Sequence, residues 1–162
     1  MTREEEKKLP WQDRLVLDFC RVGVAGLART APGTWGSLLA LLLAPWLFLP
    51  LPLWGRAALL LLIFVLGALA AGKAERLLHK QDPGEVVIDE LLGLWLVLLP
   101  FEHVSVWMGL AALGLFRLFD IAKPWPVGAS EHWLPAGWGI MIDDALAGGL
   151  GCLCLAVLVW WI

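Results

Sequence analysis

Five long apolar runs without Asp, Glu, Lys or Arg follow a polar N-terminal segment, with only a few charged residues between them. The runs cover residues 37–53, 57–72, 91–101, 104–116 and 145–162, and the third ends just before Glu102. A membrane-spanning helix needs about 20 mostly apolar residues. The third and fourth runs are therefore long enough only if extended over flanking polar residues. The pattern predicts an all-α, polytopic membrane helical bundle with four to five spans, although the first two runs are also compatible with a buried helical hairpin.

The first 36 residues have a different pattern. Trp11, Leu15, Phe19 and Val22 recur at helical spacing and predict an amphipathic helix over residues 11–28. This helix either lies on the membrane surface or packs on the protein's own cytoplasmic side, and both alternatives stay open. Residues 1–8 are polar, so a signal peptide is not expected. We predict one domain, 1–162, made of the N-terminal segment 1–36 and the bundle 37–162.

Basic residues alternate between the connections. The first 36 residues contain six Lys or Arg, and the successive later connections contain one, three, none, two and none. Cytoplasmic connections carry the excess of Lys and Arg. Five spans with a cytoplasmic N-terminus fit this alternation. It also places the first, third and fifth polar segments on the cytoplasmic side.

Composition supports the membrane interpretation and excludes other classes. The chain is 60% hydrophobic and 17% charged, whereas soluble domains average about 25% charged residues. Eleven Trp and no Tyr are present, and Trp favours membrane interfaces. A net charge of −3 argues against nucleic-acid partners, and three Cys argue against a disulfide scaffold. Trp-rich surfaces and small residues leave a homo-oligomer possible.

Three strings of charged residues interrupt this apolar pattern. Asp89 and Glu90 fall in the first turn of the third predicted span, where acidic residues are also common as a helix-start signal. Arg117 and Asp120 share a helix face, and Lys123 follows where Pro124 should end the helix near Ala122. A helix-end ion pair would explain the first two residues but not the whole string.

The last string and a glycine-containing turn complete the set. Asp143 and Asp144 open the fifth predicted span, and an N-cap would explain only one of them. The small residues after them allow close helix packing. Gly33 and Thr34 lie in PGTWGS before the first span, where backbone N–H groups could receive a phosphate. For that string alone, a simple N-cap by Ser37 is the better interpretation.

All these strings fall on the predicted cytoplasmic side of the membrane. Carboxylates in a membrane helix are costly unless they are paired, solvated or metal-bound. Mg²⁺ is bound by carboxylates together with phosphate oxygens, and Arg and Lys bind phosphate. The pattern therefore indicates phosphate chemistry with a divalent metal. A small carboxylate-using transporter and a non-catalytic scaffold are the alternatives. His132 is a weaker candidate for proton transfer.

The strings PGTWGS, VIDELLGLW, FRLFDIAKPWP and GIMIDDALAG resemble the phosphatidylglycerophosphatase A family of bacterial membrane lipid phosphatases. The resemblance covers most of the chain, but not residues 127–138, so neither Glu131 nor His132 takes a role from it. It implies Mg²⁺-dependent removal of the terminal phosphate from the lipid phosphatidylglycerol phosphate at the bacterial cytoplasmic (inner) membrane.

The resemblance and the charge pattern together assign roles to the candidate residues. Four carboxylates are the expected metal ligands, in a subset left open. Arg117, Lys123, Gly33 and Thr34 would bind the phosphate, and Asp120 would orient Arg117, bind the metal or act as a base. Arg117, Lys123 and Asp120 are also the expected catalytic residues. The four carboxylates are those of Asp89, Glu90, Asp143 and Asp144.

Overall fold

The computed structural model describes residues 3–130 and 133–161, and this part of the chain is helical without any strand. A short 3₁₀ turn at Ala25–Leu27 follows the second helix. The described residues form eight α-helices, which are α1 (Arg3–Lys7), α2 (Trp11–Cys20), α3 (Pro32–Leu47), α4 (Leu53–Leu78), α5 (Ile88–Leu98), α6 (Val106–Ala122), α7 (Val127–Ser130) and α8 (Gly137–Trp161). The predicted all-α class is confirmed.

Helix lengths distinguish the predicted spans from one another. Among the described residues, α4 with 26 residues and α8 with 25 are long and apolar enough to cross a membrane. α3 and α6 have 16 and 17 residues, or about 24 and 26 Å. α5 has only 11 residues, about 16 Å, because it begins at Ile88 and ends at Leu98. The extension over flanking polar residues that a span would need is therefore limited to residues 88–90 at the start of this helix. The two long apolar helices, α4 and α8, indicate membrane association.

Helix α5 forms the centre of the bundle. Leu92, Leu94, Val97 and Leu98 are buried, and α3, α4, α6 and α8 all pack around this helix. Its contact with α8 is close because both helices present a glycine. A Cβ added at Gly148 would collide with the backbone of α5. The expectation of close packing by small residues is confirmed here.

Two helices begin earlier than predicted. α3 starts at Pro32, a residue favoured in the first turn, and Ser37 lies inside it, donating its hydroxyl to the Gly33 carbonyl at 2.8 Å. Capping by Ser37 is therefore wrong. α8 starts at Gly137, so Asp143 and Asp144 are its seventh and eighth residues, about two turns from the start. Because neither residue is at the helix terminus, the N-cap interpretation of this pair is also wrong.

The amphipathic helix α2 has one face packed on the bundle and another that is exposed. Leu17 and Cys20 are buried, and Asp13 forms an ion pair with Lys73 of α4 at 2.5 Å. The face with Trp11 and Leu15 remains exposed. Packing on the protein therefore still leaves an apolar face free for lipid. The helix ends at Cys20, so the predicted extension to residue 28 is wrong.

A buried arginine, Arg56, stabilises the end of the bundle at which α3 and α5 end and α4 begins. Arg56 is 4% exposed and donates hydrogen bonds to four backbone carbonyls at 2.6 to 3.2 Å. These carbonyls belong to Leu49, Leu51, Leu99 and Phe101. The side chain therefore joins the α3–α4 connection to the end of α5.

We expect Arg56→Met to lower the free energy of unfolding by about 2–4 kcal/mol, because buried carbonyls would lose their charged donor. The measurement is unfolding by SDS titration in mixed micelles. Arg76→Met, an exposed change on the same helix, serves as the control and should cost less than about 0.5 kcal/mol. Equal stability of the two variants would contradict this assignment.

Candidate active site

A pocket of about 690 Å³ lies where α3, α5 and α8 begin and α4 and α6 end. The structure brings eight of the nine predicted site residues to its lining. They are Gly33, Asp89, Glu90, Arg117, Asp120, Lys123, Asp143 and Asp144. Residues from four separate strings of the sequence therefore meet in one place.

Three carboxylates form the innermost part of the pocket. One oxygen from each of Asp89, Glu90 and Asp144 lies within 4.8 Å of the other two. Each of the three residues also has a buried side-chain oxygen without a hydrogen-bond partner in the described part of the chain. Buried carboxylates without donors are costly, and neighbouring negative charges repel. A bound cation would remove both penalties, and all-oxygen ligands suit Mg²⁺.

The backbone contact between α5 and α8 positions this cluster. Asp89 and Glu90 occupy the first turn of α5, and Asp144 lies on α8 across the contact between glycines. A Cβ added at Gly93 would meet the Phe116 ring and lie 2.9 Å from the Asp144 carbonyl. Any larger residue here would separate the helices and so disperse the carboxylates.

Asp143 has different partners from its neighbour. Its Oδ2 accepts a hydrogen bond from Lys123 Nζ at 3.0 Å, and its Oδ1 accepts one from the Asp144 backbone N–H at 3.0 Å. Burial tends to lower the pKa of Lys123, but this hydrogen bond and the surrounding carboxylates outweigh it and raise the pKa. Lys123 thus stays charged at the pocket. Three of the four carboxylates predicted as metal ligands converge, and Asp143 forms an ion pair instead.

Arg117 connects the acidic cluster to α6. Its Nη1 lies 2.7 Å from Asp120 Oδ2 and 3.8 Å from Glu90 Oε1. Its Nε is buried and has no acceptor within the residues described. Asp120 therefore orients the guanidinium, and one donor remains unused beside the carboxylates.

The start of α3 lines the pocket beside Glu90 and Arg117. A Cβ added at Gly33 would collide with Glu90 Oε1 and lie 3.1 Å from Arg117 Nη1. Helix N-termini favour anions. Thr34 is not brought into the pocket lining: it is exposed, and its backbone N–H donates to the Ala31 carbonyl at 3.0 Å.

These motifs lie within one protein family. The family model described as phosphatidylglycerophosphatase A matches residues 19–159. The chain belongs to this family. The predicted resemblance, and with it the phosphatase class of enzyme, is confirmed. No solved structure matches the chain.

Named relatives match most of the length of this chain. A Haemophilus influenzae protein named "Phosphatidylglycerophosphatase A" is 38% identical, covering 85% of this chain and 84% of its own. An Escherichia coli protein of the same name is 32% identical, over 76% and 72%. A Bacteroides thetaiotaomicron protein named "Putative phosphatidylinositol-3-phosphatase" is 41% identical, over 84% and 88%.

Unusual backbone conformations surround the pocket of this family member. Four of its lining residues have positive φ although they are not glycine: Ala31, Asp82, Lys123 and Ala136. Such conformations cost free energy and often occur at functional sites. At Lys123 the conformation ends α6, and its backbone N–H still donates to Phe119.

Sequence reasoning missed part of the pocket wall. Glu75, near the end of α4, lines the pocket and accepts a hydrogen bond from the Asp82 backbone N–H at 3.0 Å. In the sequence, Glu75 is marked only as an acidic residue just after the second apolar run. Glu131 and His132 lie outside the described residues.

Cysteine chemistry is not part of the site. Burial, together with the negative charge of Asp89, raises the pKa of the Cys20 thiol to about 12. Cys20 is therefore protonated at neutral pH and is a poor nucleophile. Cys20 is instead a buried residue of the hydrophobic core.

Proposed function

We propose that the chain is a Mg²⁺-dependent phosphatidylglycerophosphatase. It hydrolyses the terminal phosphomonoester of phosphatidylglycerol phosphate and yields phosphatidylglycerol and phosphate. The observation that carries this proposal is the cluster of buried, partnerless carboxylate oxygens beside Arg117 and Lys123. Family membership supports the substrate.

Asp89, Glu90 and Asp144 would hold the metal, which supplies charge neutralisation and polarises the phosphoryl group when bound. Arg117 and Lys123 would bind the non-bridging oxygens of the phosphate, with Arg117 held in orientation by Asp120. Gly33 leaves room for Glu90 and Arg117 to approach the start of α3. Phosphomonoester hydrolysis is very slow without catalysis, and this concentration of fixed charge matches that demand.

A multi-pass orientation with the pocket and N-terminus on the cytoplasmic side of the bacterial inner membrane completes the proposal. Exposed tryptophans at both ends of the bundle support two membrane boundaries. Trp35 and Trp125 lie near the pocket end. At the other end, exposed tryptophans stand where α3 and α8 end and where α4 and α6 begin. These are Trp46, Trp54, Trp107, Trp160 and Trp161. Trp is enriched at membrane interfaces.

The decisive experiment measures phosphate release by the purified chain in mixed micelles. The lipids are phosphatidylglycerol phosphate, phosphatidylinositol 3-phosphate and phosphatidic acid, each with Mg²⁺ or with EDTA. We expect Mg²⁺-dependent release, fastest from phosphatidylglycerol phosphate. Full activity in EDTA would refute the metal, and preference for another lipid would refute the substrate. Solute flux into liposomes without phosphate release would favour a transporter.

A further inference from the structure

The first turn of α5 is held from outside the helix. Its N-cap residue, Val87, makes no side-chain cap, and its backbone N–H instead donates to the Cys20 carbonyl at 2.8 Å. Just before it, the Glu85 carbonyl packs so closely against Gly26 that an added Cβ there would collide with it. The segment after α2 therefore determines how the chain enters α5, immediately before Asp89.

Arg21 provides the charge in this contact. It is 4% exposed, and its Nε and Nη2 donate to Glu85 Oε2 at 3.0 and 2.5 Å. Its Nη1 donates to Glu6 Oε1 at 2.5 Å. One buried guanidinium thus joins α1 and α2 to the loop that leads into α5. Neither Arg21 nor Glu85 lines the pocket, and the loop that contains Glu85 connects their contact to Asp89.

We propose that Arg21 is a positioning residue: by holding Glu85, it fixes the loop before α5 and so sets the affinity of Asp89 and Glu90 for the divalent cation. The inference about Arg21 rests on the proposed function in one respect, namely that the pocket binds a divalent cation. Glu85 is four residues before Asp89, and Val87 lies between them. A shift of this loop would therefore move the first turn of α5 and the ligand oxygens with it.

The expected effect is a change in metal affinity rather than in the chemical step. Residues that orient metal ligands typically change metal affinity by about 10–100-fold when replaced. Ligand geometry must be held to within about 0.5 Å. We expect Arg21→Ala to raise the dissociation constant for Mn²⁺ about tenfold. The Mg²⁺ concentration for half-maximal phosphate release should rise in parallel, with the rate recovering at saturating Mg²⁺.

The experiment uses the full chain in detergent micelles and measures Mn²⁺ binding directly by electron paramagnetic resonance. Arg21→Lys and Glu85→Gln weaken the same contact with less risk to folding, and Gly26→Ala displaces the loop without changing any charge. Lys73→Met is the matched control, because it breaks the other ion pair that ties α2 to the bundle, Asp13–Lys73. Thermal unfolding verifies that each variant is folded.

The outcomes separate this inference from the proposed function. Mn²⁺ affinity within twofold of wild type in Arg21→Lys and Glu85→Gln would overturn the role of Arg21. An equal loss in Lys73→Met would reduce that role to general stability and would overturn it as well. Tight Mn²⁺ binding by a wild-type chain that releases no phosphate would overturn the activity alone. A wild-type chain that binds no Mn²⁺ would overturn both.

Discussion

Replacing Asp144 with Asn should lower phosphate release by about 10³-fold, because the pocket would lose one of three converging charged oxygens. The amide retains the shape of the carboxylate, so packing around this buried residue should not change. Without metal, the same variant should be more thermally stable than wild type, because one of several mutually repelling buried charges is removed. Activity and metal-free stability should therefore change in opposite directions.

Asp143→Asn is the matched control on the adjacent residue. Asp143 pairs with Lys123, so its loss should weaken phosphate binding and reduce the rate by about tenfold. Mn²⁺ affinity should fall in Asp144→Asn and stay near wild type in Asp143→Asn. If the two variants lost activity equally, or if Asp144→Asn were fully active, the assignment of the three-carboxylate cluster would fail.

Gly33→Ala should reduce phosphate release by about 100-fold with little loss of stability. The added methyl group would collide with Glu90 Oε1, which lies at the end of a flexible side chain. That carboxylate can swing away at small cost to folding, but the movement removes an oxygen from the cluster. Phosphate release and thermal unfolding, measured on the same preparation, test both statements.

Gly84→Ala provides the control for this prediction. Gly84 also lines the pocket, but an added Cβ there would lie 3.9 Å from the Pro32 ring, an ordinary van der Waals contact. We expect activity within about twofold of wild type. Loss of activity in both variants would show that the pocket wall tolerates no substitution, and the specific role of Gly33 would then be wrong.

The apolar runs predicted the order of the main helices because each run exceeds what a loop can contain. They did not predict helix boundaries well. Ser37 and Asp144 were assigned to helix starts, yet both lie inside helices, because Pro32 and Gly137 begin those helices within mixed sequence. Apolar pattern alone cannot detect a helix turn that precedes the apolar run.

Most of the pocket could be predicted because charged residues are rare in apolar sequence and therefore conspicuous. It could not be predicted that Asp143 pairs with Lys123 while Asp144 joins the carboxylate cluster. This difference depends on the rotation of α8, which is set by the contact of Gly148 with α5 and thus by packing between distant residues. The contact between Arg21 and Glu85 could not be predicted either, because Arg21 is one of several basic residues in the N-terminal segment and Glu85 is 64 residues away in the sequence.

Helix α8 carries both a proposed metal ligand, Asp144, and a proposed membrane anchor, Trp161. Asp144 and the exposed Trp161 are separated by a helical rise of about 26 Å, close to the hydrocarbon thickness of about 30 Å. In the proposed orientation, the length of this helix fixes the distance between the proposed metal site and the membrane interface at the other end of the bundle. Bilayer thickness would then control how far the pocket reaches toward the lipid headgroups, and enzyme activity would depend on the length of the surrounding acyl chains.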